Sequence, residues 1–101
     1  MEKQIEEDIL KHPILLYMKG TKLMPLCGFS GRVVEVLNRL GLQYETRNVL
    51  EDDELREAIK LFSKWPTLPQ LYAHGKFIGG CDIVTELHQR GELEGILKGE
   101  S

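Results

Sequence analysis

The sequence of 101 residues predicts an α/β domain, a four-stranded mixed sheet with helices on both faces. Three observations support this prediction. Residues 14–18 form a continuous apolar run, which is typical of a strand buried on both faces. Residues 28–40 and 55–62 carry apolar side chains at helical spacing. Residues 70–78 contain two short apolar segments around a turn at 74–75, which predicts an antiparallel hairpin.

The first helix is predicted over residues 2–11, with Ile5, Ile9 and Leu10 on one apolar stripe. It must end before Pro13, because the residue that precedes a proline avoids helical backbone angles. The apolar run that follows is the first strand.

The middle of the chain predicts a loop, a helix, a strand and a second helix. The loop covers 19–26, and the helix runs from Gly28 to its stop signal at Gly41. Residues 42–49 predict a strand parallel to the first, because a helix connects the two. Acidic residues at 51–54 favour the next helix start, where the macrodipole attracts negative charge. The apolar faces of the two helices are formed by Val33, Val36, Leu37 and Leu40, and by Leu55, Ala58, Ile59 and Phe62.

The last third of the chain begins with residues 65–69, which contain two prolines and break regular structure. Strands are predicted at 70–73 and 76–78, followed by a sharp turn at 79–80. Asp82 is predicted to cap a helix, and Gly91 separates that helix from a final helical turn. The helix after Asp82 carries Ile83, Val84 and Leu87, and the final helical turn is indicated by Leu93, Ile96 and Leu97.

The length predicts a single domain over residues 1–101. Hydrophobic residues make up 42% of the chain and charged residues 29%, so its composition is that of a globular protein. A net charge of −3 argues against nucleic acid as a partner, because phosphate binding needs a positive field.

The cellular location is predicted from the N-terminus and from the cysteine count. Residues 14–18 are too few to span a bilayer, so no membrane partner is expected. The acidic N-terminus matches neither a secretory signal nor a transit peptide. Two cysteines are too few for a disulfide scaffold, and we expect a cytoplasmic, reducing location. A trimmed precursor in an organellar matrix remains an open alternative.

Cys27 and Cys81 are the two cysteines, and no C-x-x-C pair indicates a zinc knuckle or a dithiol redox site. Cys27 lies at a predicted helix start, where free N–H groups and the helix dipole lower a thiol pKa. Lys19, at the end of the preceding strand, adds positive charge. We interpret Cys27 as a reactive thiol; the alternative is a small buried residue without a chemical role.

Ser30 stands where a dithiol enzyme carries its second cysteine. Because a hydroxyl cannot form a disulfide, redox turnover at Cys27 needs another thiol. Cys81 is one candidate, but the favoured interpretation is a small packed residue in the 79–80 turn.

The segment Thr67-Leu68-Pro69 lies directly before a predicted strand. A cis proline there would leave backbone groups facing outward, free to pair with an extended peptide. An ordinary edge turn is the alternative. Trp65 is interpreted as a packing residue rather than a recognition residue.

Three segments of the chain carry a set of motifs. The first is Lys19-Gly20-Thr21, then Pro25, then Cys27-Gly28-Phe29-Ser30. The second is WPTLPQLY at 65–72, and the third is GKFIGGCD at 75–82. Together they resemble the monothiol glutaredoxins with a C-G-F-S site, in the right order and over nearly the whole chain. The resemblance implies a thioredoxin-like fold, which agrees with the predicted element order.

The same resemblance implies that glutathione binds in an extended pose with its sulfur next to Cys27. Lys19 would pair with the glycyl carboxylate, and Arg56 and Lys60 would approach that carboxylate from the third helix. Cations suit carboxylates at such short range.

The other end of the tripeptide is assigned by the same resemblance. The backbone of Leu68 would pair with the cysteinyl part of glutathione. Cys81 and Asp82 would meet the γ-glutamyl end, where Asp82 can accept from the ammonium group. The helix that starts near Asp82 supplies N–H donors for the γ-glutamyl carboxylate.

A [2Fe–2S] cluster usually takes four thiolates. One chain offers one well-placed metal ligand, Cys27, so two chains offer two and two glutathiones complete the set. The resemblance implies this arrangement: a homodimer when the cluster is bound and a monomer without it. The resemblance also assigns Phe29 to the glutathione site, where it would shield the cluster from water or, as the alternative, pack within its own motif.

The leading hypothesis is a glutathione-dependent carrier or assembly factor that passes [2Fe–2S] clusters to iron–sulfur apo-proteins. The competing hypothesis is an enzyme, a glutathione-dependent thiol–disulfide oxidoreductase with Cys27 as its sole nucleophile. The resemblance implies that this activity is weak. A third hypothesis is an adaptor whose cluster is shared with a BolA-like partner.

Overall fold

The computed structural model describes residues 1–99, which contain five α-helices and four strands. The helices are α1 (Glu2–Lys11), α2 (Gly28–Leu40), α3 (Asp53–Ser63), α4 (Cys81–Gln89) and α5 (Leu93–Leu97). The strands are β1 (Ile14–Met18), β2 (Glu45–Asn48), β3 (Gln70–Ala73) and β4 (Lys76–Gly79). The order α-β-α-β-α-β-β-α-α is the predicted one.

The four strands form one mixed sheet in the order β2-β1-β3-β4. β1 pairs parallel with β2 and antiparallel with β3, and β3 pairs antiparallel with β4. The predicted fold class is therefore confirmed. β1 is buried along its whole length, as its continuous apolar run predicts.

Alternate residues of β1 enter two separate cores. Ile14, Leu16 and Met18 pack on the side covered by α2, α4 and α5, whereas Leu15 and Tyr17 pack on the side covered by α1 and α3. The sheet is thus covered on both faces, and the loops that leave its strands determine where a site can form.

The stripe predicted for α1 is wrong at one position. Ile5 and Ile9 are buried, but Leu10 is 78% exposed. A helix turns by about 100° per residue, so the position next to Ile9 faces away from the sheet. The predicted helix end before Pro13 is confirmed, since His12 is extended.

β2 is shorter than the predicted strand over 42–49. Its register with β1 ends where Met18 pairs with Asn48, and Val49 then starts a single 3₁₀ turn. At the other end, Tyr44 is buried and its hydroxyl donates to Asn38 over 3.1 Å. The length of the neighbouring strand therefore sets the length of β2.

The start of α4 also differs from the prediction. The N-cap is Gly80, and Asp82 lies inside the first turn rather than capping it. The amide N–H of Val84 donates to the Gly80 carbonyl over 3.0 Å. Gly79, the last residue of β4, has a φ of +152°, and a Cβ there would lie 2.7 Å from the Ile83 side chain. The turn between β4 and α4 is therefore closed to any side chain at this position.

No helix within residues 1–99 is long and apolar enough to cross a membrane.

Candidate functional site

A cleft of about 580 Å³ brings together segments that are far apart in the sequence. Its walls come from the end of β1, the start of α2, one side of α3, residues 65–69 and the start of α4. All eight residues assigned to glutathione by resemblance line it. They are Lys19, Cys27, Phe29, Arg56, Lys60, Leu68, Cys81 and Asp82. The fold thus places the predicted residues at one site, while their individual roles remain predictions.

Cys27 is the N-cap of α2 and is partly exposed. Within residues 1–99, its side chain makes no capping hydrogen bond. The backbone N–H of Ser30 nevertheless holds the pKa of the Cys27 thiol below its ordinary value. The N–H of Phe29, the charge of Lys19 and the Ser30 hydroxyl act in the same direction, and partial burial opposes them. This environment favours the thiolate, the form that attacks sulfur and binds metals.

Ser30 does more than replace a second cysteine. Its side chain is fully buried, and its Oγ accepts a hydrogen bond of 3.1 Å from the amide of Lys19. The Lys19 carbonyl in turn accepts from the amide of Leu26 over 3.0 Å. The end of β1 is therefore joined directly to the first turn of α2. Local sequence signals could not predict this bond, because its partners are 11 positions apart.

The loop between β1 and α2 is a closed hairpin. Gly20 pairs with Pro25 in an antiparallel bridge, and Thr21 and Met24 exchange backbone hydrogen bonds of 3.1 and 3.2 Å. Gly20 has a φ of +96°, and its amide donates to the side chain of Asn48 over 2.9 Å. These contacts hold the loop in one shape next to Cys27.

The tip and the far side of this loop form an exposed apolar rim, which consists of Leu23, Met24, Leu26 and Phe29. Leu23 is 99% exposed and Phe29 is 63% exposed. Phe29 also lines the cleft. Patches of this kind mark surfaces that are covered in a complex.

Arg56 and Lys60 face the cleft from α3. Within residues 1–99, two buried side-chain atoms lack a hydrogen-bond partner, the Nε of Arg56 and the hydroxyl of Tyr17. Lys60 is paired with Glu57 over 3.1 Å. Because Arg56 lines the cleft, its guanidinium group is suited to a ligand carboxylate.

Residues 65–69 form the opposite wall. The Leu68–Pro69 peptide bond is cis, and both residues are buried. The Trp65 ring packs on Phe77 with ring centroids 5.9 Å apart, and it also lines the cleft. The packing interpretation of Trp65 is therefore incomplete. Sequence reasoning missed Gln70, which is fully buried directly behind this wall.

Comparison with known proteins agrees with the motifs and the geometry. The family model described as Glutaredoxin matches residues 14–78. The chain belongs to the glutaredoxin family. It is 58% identical over 99 residues to the probable monothiol glutaredoxin 2 of Rickettsia typhi, covering 98% of this chain and 89% of the relative. It is 50% identical to an uncharacterized monothiol glutaredoxin of Synechocystis, with coverages of 94% and 89%. The monothiol assignment is thereby confirmed.

Solved glutaredoxin structures confirm the thioredoxin-like fold. Reduced apo GrxS14 from poplar superposes with a TM-score of 0.84 at 43% identity, covering 97% of this chain and 90% of that one. A buckwheat glutaredoxin–glutathione complex superposes with a TM-score of 0.86 at 27% identity, covering 97% and 87%.

In this glutaredoxin the second cysteine lines the same cleft at the start of α4. Cys81 packs partly against the core, and its sulfur is 4.0 Å from the Thr85 hydroxyl, which donates to the Cys81 carbonyl. Both cysteines are free thiols. Asp82 is exposed beside Cys81. The site therefore offers the Cys27 thiol with its lowered pKa, the cations Lys19, Arg56 and Lys60, and the Asp82 carboxylate.

Proposed function

We propose that this glutaredoxin is a glutathione-dependent carrier of [2Fe–2S] clusters. The observation that carries the proposal is the position of Cys27, a partly exposed N-cap thiol with a lowered pKa at the mouth of a cleft. The cluster is the cargo, and glutathione is the co-ligand. Cys27 would bind one iron, and a glutathione held in the cleft would supply a second thiolate beside it.

Three features of the cleft support glutathione as its ligand. The guanidinium group of Arg56 and the ammonium group of Lys19, two residues that line the cleft, are suited to the glycyl carboxylate. Asp82, at the other end, can accept from the γ-glutamyl ammonium. The buckwheat relative with the same fold was solved as a glutathione complex.

The donor count supports a cluster shared between two chains. Within residues 1–99, no group of three or more His, Cys, Asp or Glu side chains could hold a metal ion. Two Cys27 thiolates and two glutathione thiolates supply the four ligands that a [2Fe–2S] cluster needs. Leu23, Met24, Leu26 and Phe29 form the apolar rim, which a second chain would cover and so keep water away. We therefore propose a homodimer with the cluster and a monomer without it.

Anaerobic reconstitution of the purified protein with ferrous iron and sulfide, with and without glutathione, tests the proposal. We expect visible cluster absorption only with glutathione, and a dimer by gel filtration. Cys27→Ser should abolish the absorption while its thermal unfolding stays near that of the wild type. A cluster that forms equally well without glutathione, or on Cys27→Ser, contradicts the proposal. A monomeric holo form contradicts the bridging arrangement.

Labile glutathione ligands suit a protein that hands its cluster on, so we propose iron–sulfur apo-proteins as recipients. A BolA-like protein is a further proposed partner, which would replace the second chain and its ligands. A changed visible spectrum on mixing the two proteins tests this. We place these reactions in the cytoplasm, where thiols stay reduced, with no nucleic acid or membrane partner.

A second function, reduction of glutathione mixed disulfides, is favoured by the lowered Cys27 pKa. The thiolate would attack the glutathione sulfur, breaking the disulfide, and the substrate would leave as a thiolate that takes a proton from water. A second glutathione thiolate would then release Cys27 as oxidised glutathione forms, because Ser30 cannot do so. Turnover of a glutathionylated peptide at the rate of a dithiol glutaredoxin would favour this function over cluster transfer.

A further inference from the structure

Gln70 is a polar residue at a buried position, where an apolar side chain would cost less desolvation free energy. It is the first residue of β3, and with Ser30 it is one of the two fully buried polar residues identified in the described chain. Burying a primary amide is unfavourable unless both of its N–H groups and its carbonyl are hydrogen-bonded. The position of Gln70 therefore needs an explanation that packing alone does not supply.

The Gln70 amide is fully satisfied, and two of its three bonds reach the cleft wall. Its Nε2 donates to the carbonyls of Trp65 and Thr67, over 3.1 and 3.2 Å. Its Oε1 accepts from the hydroxyl of Tyr72 over 3.1 Å. The orientation of the amide follows from its partners, because the two carbonyls can only accept and the hydroxyl can donate.

The anchor of this arrangement is rigid. The Tyr72 ring packs against Tyr17, Phe62 and Phe77, with ring centroids 5.3 to 6.4 Å apart. Gln70 thus connects the aromatic core to a segment, residues 65–69, in which every residue lines the cleft. Because the Trp65 and Thr67 carbonyls point toward Gln70, the other groups of the segment are the ones that can face a ligand.

The wall in turn contacts the start of α4. A Cβ on Gly80 would lie 3.3 Å from both the Pro69 carbonyl and the Trp65 indole nitrogen. The wall therefore lies next to the turn that leads to Cys81 and Asp82.

We propose that Gln70 is a positioning residue for glutathione binding: its side-chain amide clamps the Trp65 and Thr67 carbonyls and so holds the cleft wall in its binding shape. This rests on the proposed binding of glutathione in the cleft. Gln70 does not touch the ligand and acts through residues 65–69.

NMR titration of the apo-protein with reduced glutathione tests the clamp. Gln70→Met keeps the length and burial of the side chain but removes both donors. We expect glutathione affinity to fall about tenfold, because two hydrogen bonds that shape the wall are lost. Tyr72→Phe is the matched control, since it removes the third bond and leaves the clamp. Its affinity should stay within about twofold of the wild type.

A second measurement separates positioning from general damage to the fold. Alkylation of Cys27 by iodoacetamide needs the thiol but not the wall, so at one fixed pH its rate should be the same in Gln70→Met and the wild type. If glutathione affinity is unchanged in Gln70→Met, or falls equally in Tyr72→Phe, the clamp is wrong. A parallel loss of affinity and alkylation rate also contradicts it, because that pattern indicates a distorted site.

The wild type offers an independent test should Gln70→Met fail to fold. The side-chain amide protons of Gln70 should exchange slowly with solvent and shift when glutathione binds, although the ligand does not contact them. Exchange at the rate of a free glutamine overturns the clamp. Wild-type protein that binds no glutathione overturns the proposed function instead, so the two failures are distinguishable.

Discussion

The starts of α2 and α4 both carry a cysteine at the same cleft, yet they differ in position and in packing. Cys27 is the residue before α2, whereas Cys81 is the first residue within α4 and has Gly80 as its N-cap. A Cβ on Gly28 would meet nothing within 4 Å, but one on Gly80 would touch Pro69 and Trp65 at 3.3 Å. The start of α2 therefore has open space around it, whereas the start of α4 is tightly packed.

The comparison teaches that the exact position of a cysteine at a helix start decides what surrounds its sulfur. The N-cap position brings the sulfur of Cys27 to the free N–H groups of Phe29 and Ser30, which lower its pKa. One residue further along, the sulfur of Cys81 packs partly against the core and lies near Thr85. Cys27 is therefore suited to chemistry, and Cys81 is suited to lining the cleft.

Glycine substitutions near the starts of α2 and α4 should give the largest difference, which is measured in the free energy of unfolding. Gly79→Ala places a Cβ 2.7 Å from Ile83 at a φ of +152°, and we expect a loss of about 3 kcal/mol in unfolding free energy. Gly28→Ala fills open space in a helix and should be neutral or stabilise by about 0.5 kcal/mol. Urea denaturation measures both values. Equal losses would contradict the distinction between an open and a closed start.

The second-largest expected effect is a difference in alkylation rate between Cys27 and Cys81. At pH 7 we expect iodoacetamide to modify Cys27 at least about tenfold faster than Cys81, because Cys27 is a partly exposed N-cap thiol with a lowered pKa. The lowered Cys27 pKa means that the thiolate forms at lower pH, so its rate should reach a plateau at lower pH than that of free cysteine. Mass spectrometry of the two peptides gives the separate rates. Comparable rates for both residues would contradict the assignment.

Moving the α2 thiol by one position tests the cause directly. In Cys27→Ser/Gly28→Cys, serine is a good N-cap and the new side chain enters open space, so the fold should be kept. The thiol then occupies the position that Cys81 has in α4. We expect alkylation at pH 7 to slow by about fivefold relative to wild-type Cys27. An unchanged rate would show that exposure, and not the N-cap position, activates Cys27.

The smallest expected effect concerns the charge near Cys27. Lys19→Gln removes a cation that lowers the Cys27 pKa, so alkylation at pH 7 should slow by about twofold, and less so in 1 M salt. Lys22→Gln is the matched control, because the Lys22 ammonium lies over the Tyr44 ring, 4.2 Å from its centroid, and donates to the Tyr44 carbonyl. A slower rate in the control would mean that loop shape, not charge, is responsible.

The cleft was predictable as a set of residues but not as a shape. Six of the eight candidate residues lie in the three motifs, and the same resemblance adds Arg56 and Lys60 from α3. The fold brings all eight to one cleft, because family resemblance carries the spatial arrangement with it. The exposure of Phe29 and the unpartnered Nε of Arg56 were not predictable. Both depend on which neighbours the fold places around these side chains.

The sequence by itself determined the element order, the mixed sheet and the placement of Cys27 at a helix start. These follow from hydrophobic period, turn residues and capping, which act within a few residues of each other. Only the tertiary structure decided the hydrogen bond between Lys19 and Ser30 and the clamp by Gln70. It also decided that Leu10 stays exposed beside the buried residues of α1. Hydrogen bonds between separate segments form only when the elements pack together. Packing also sets how much of the surface of a helix is buried. Local patterns therefore predict where a functional residue lies, and packing decides what surrounds it.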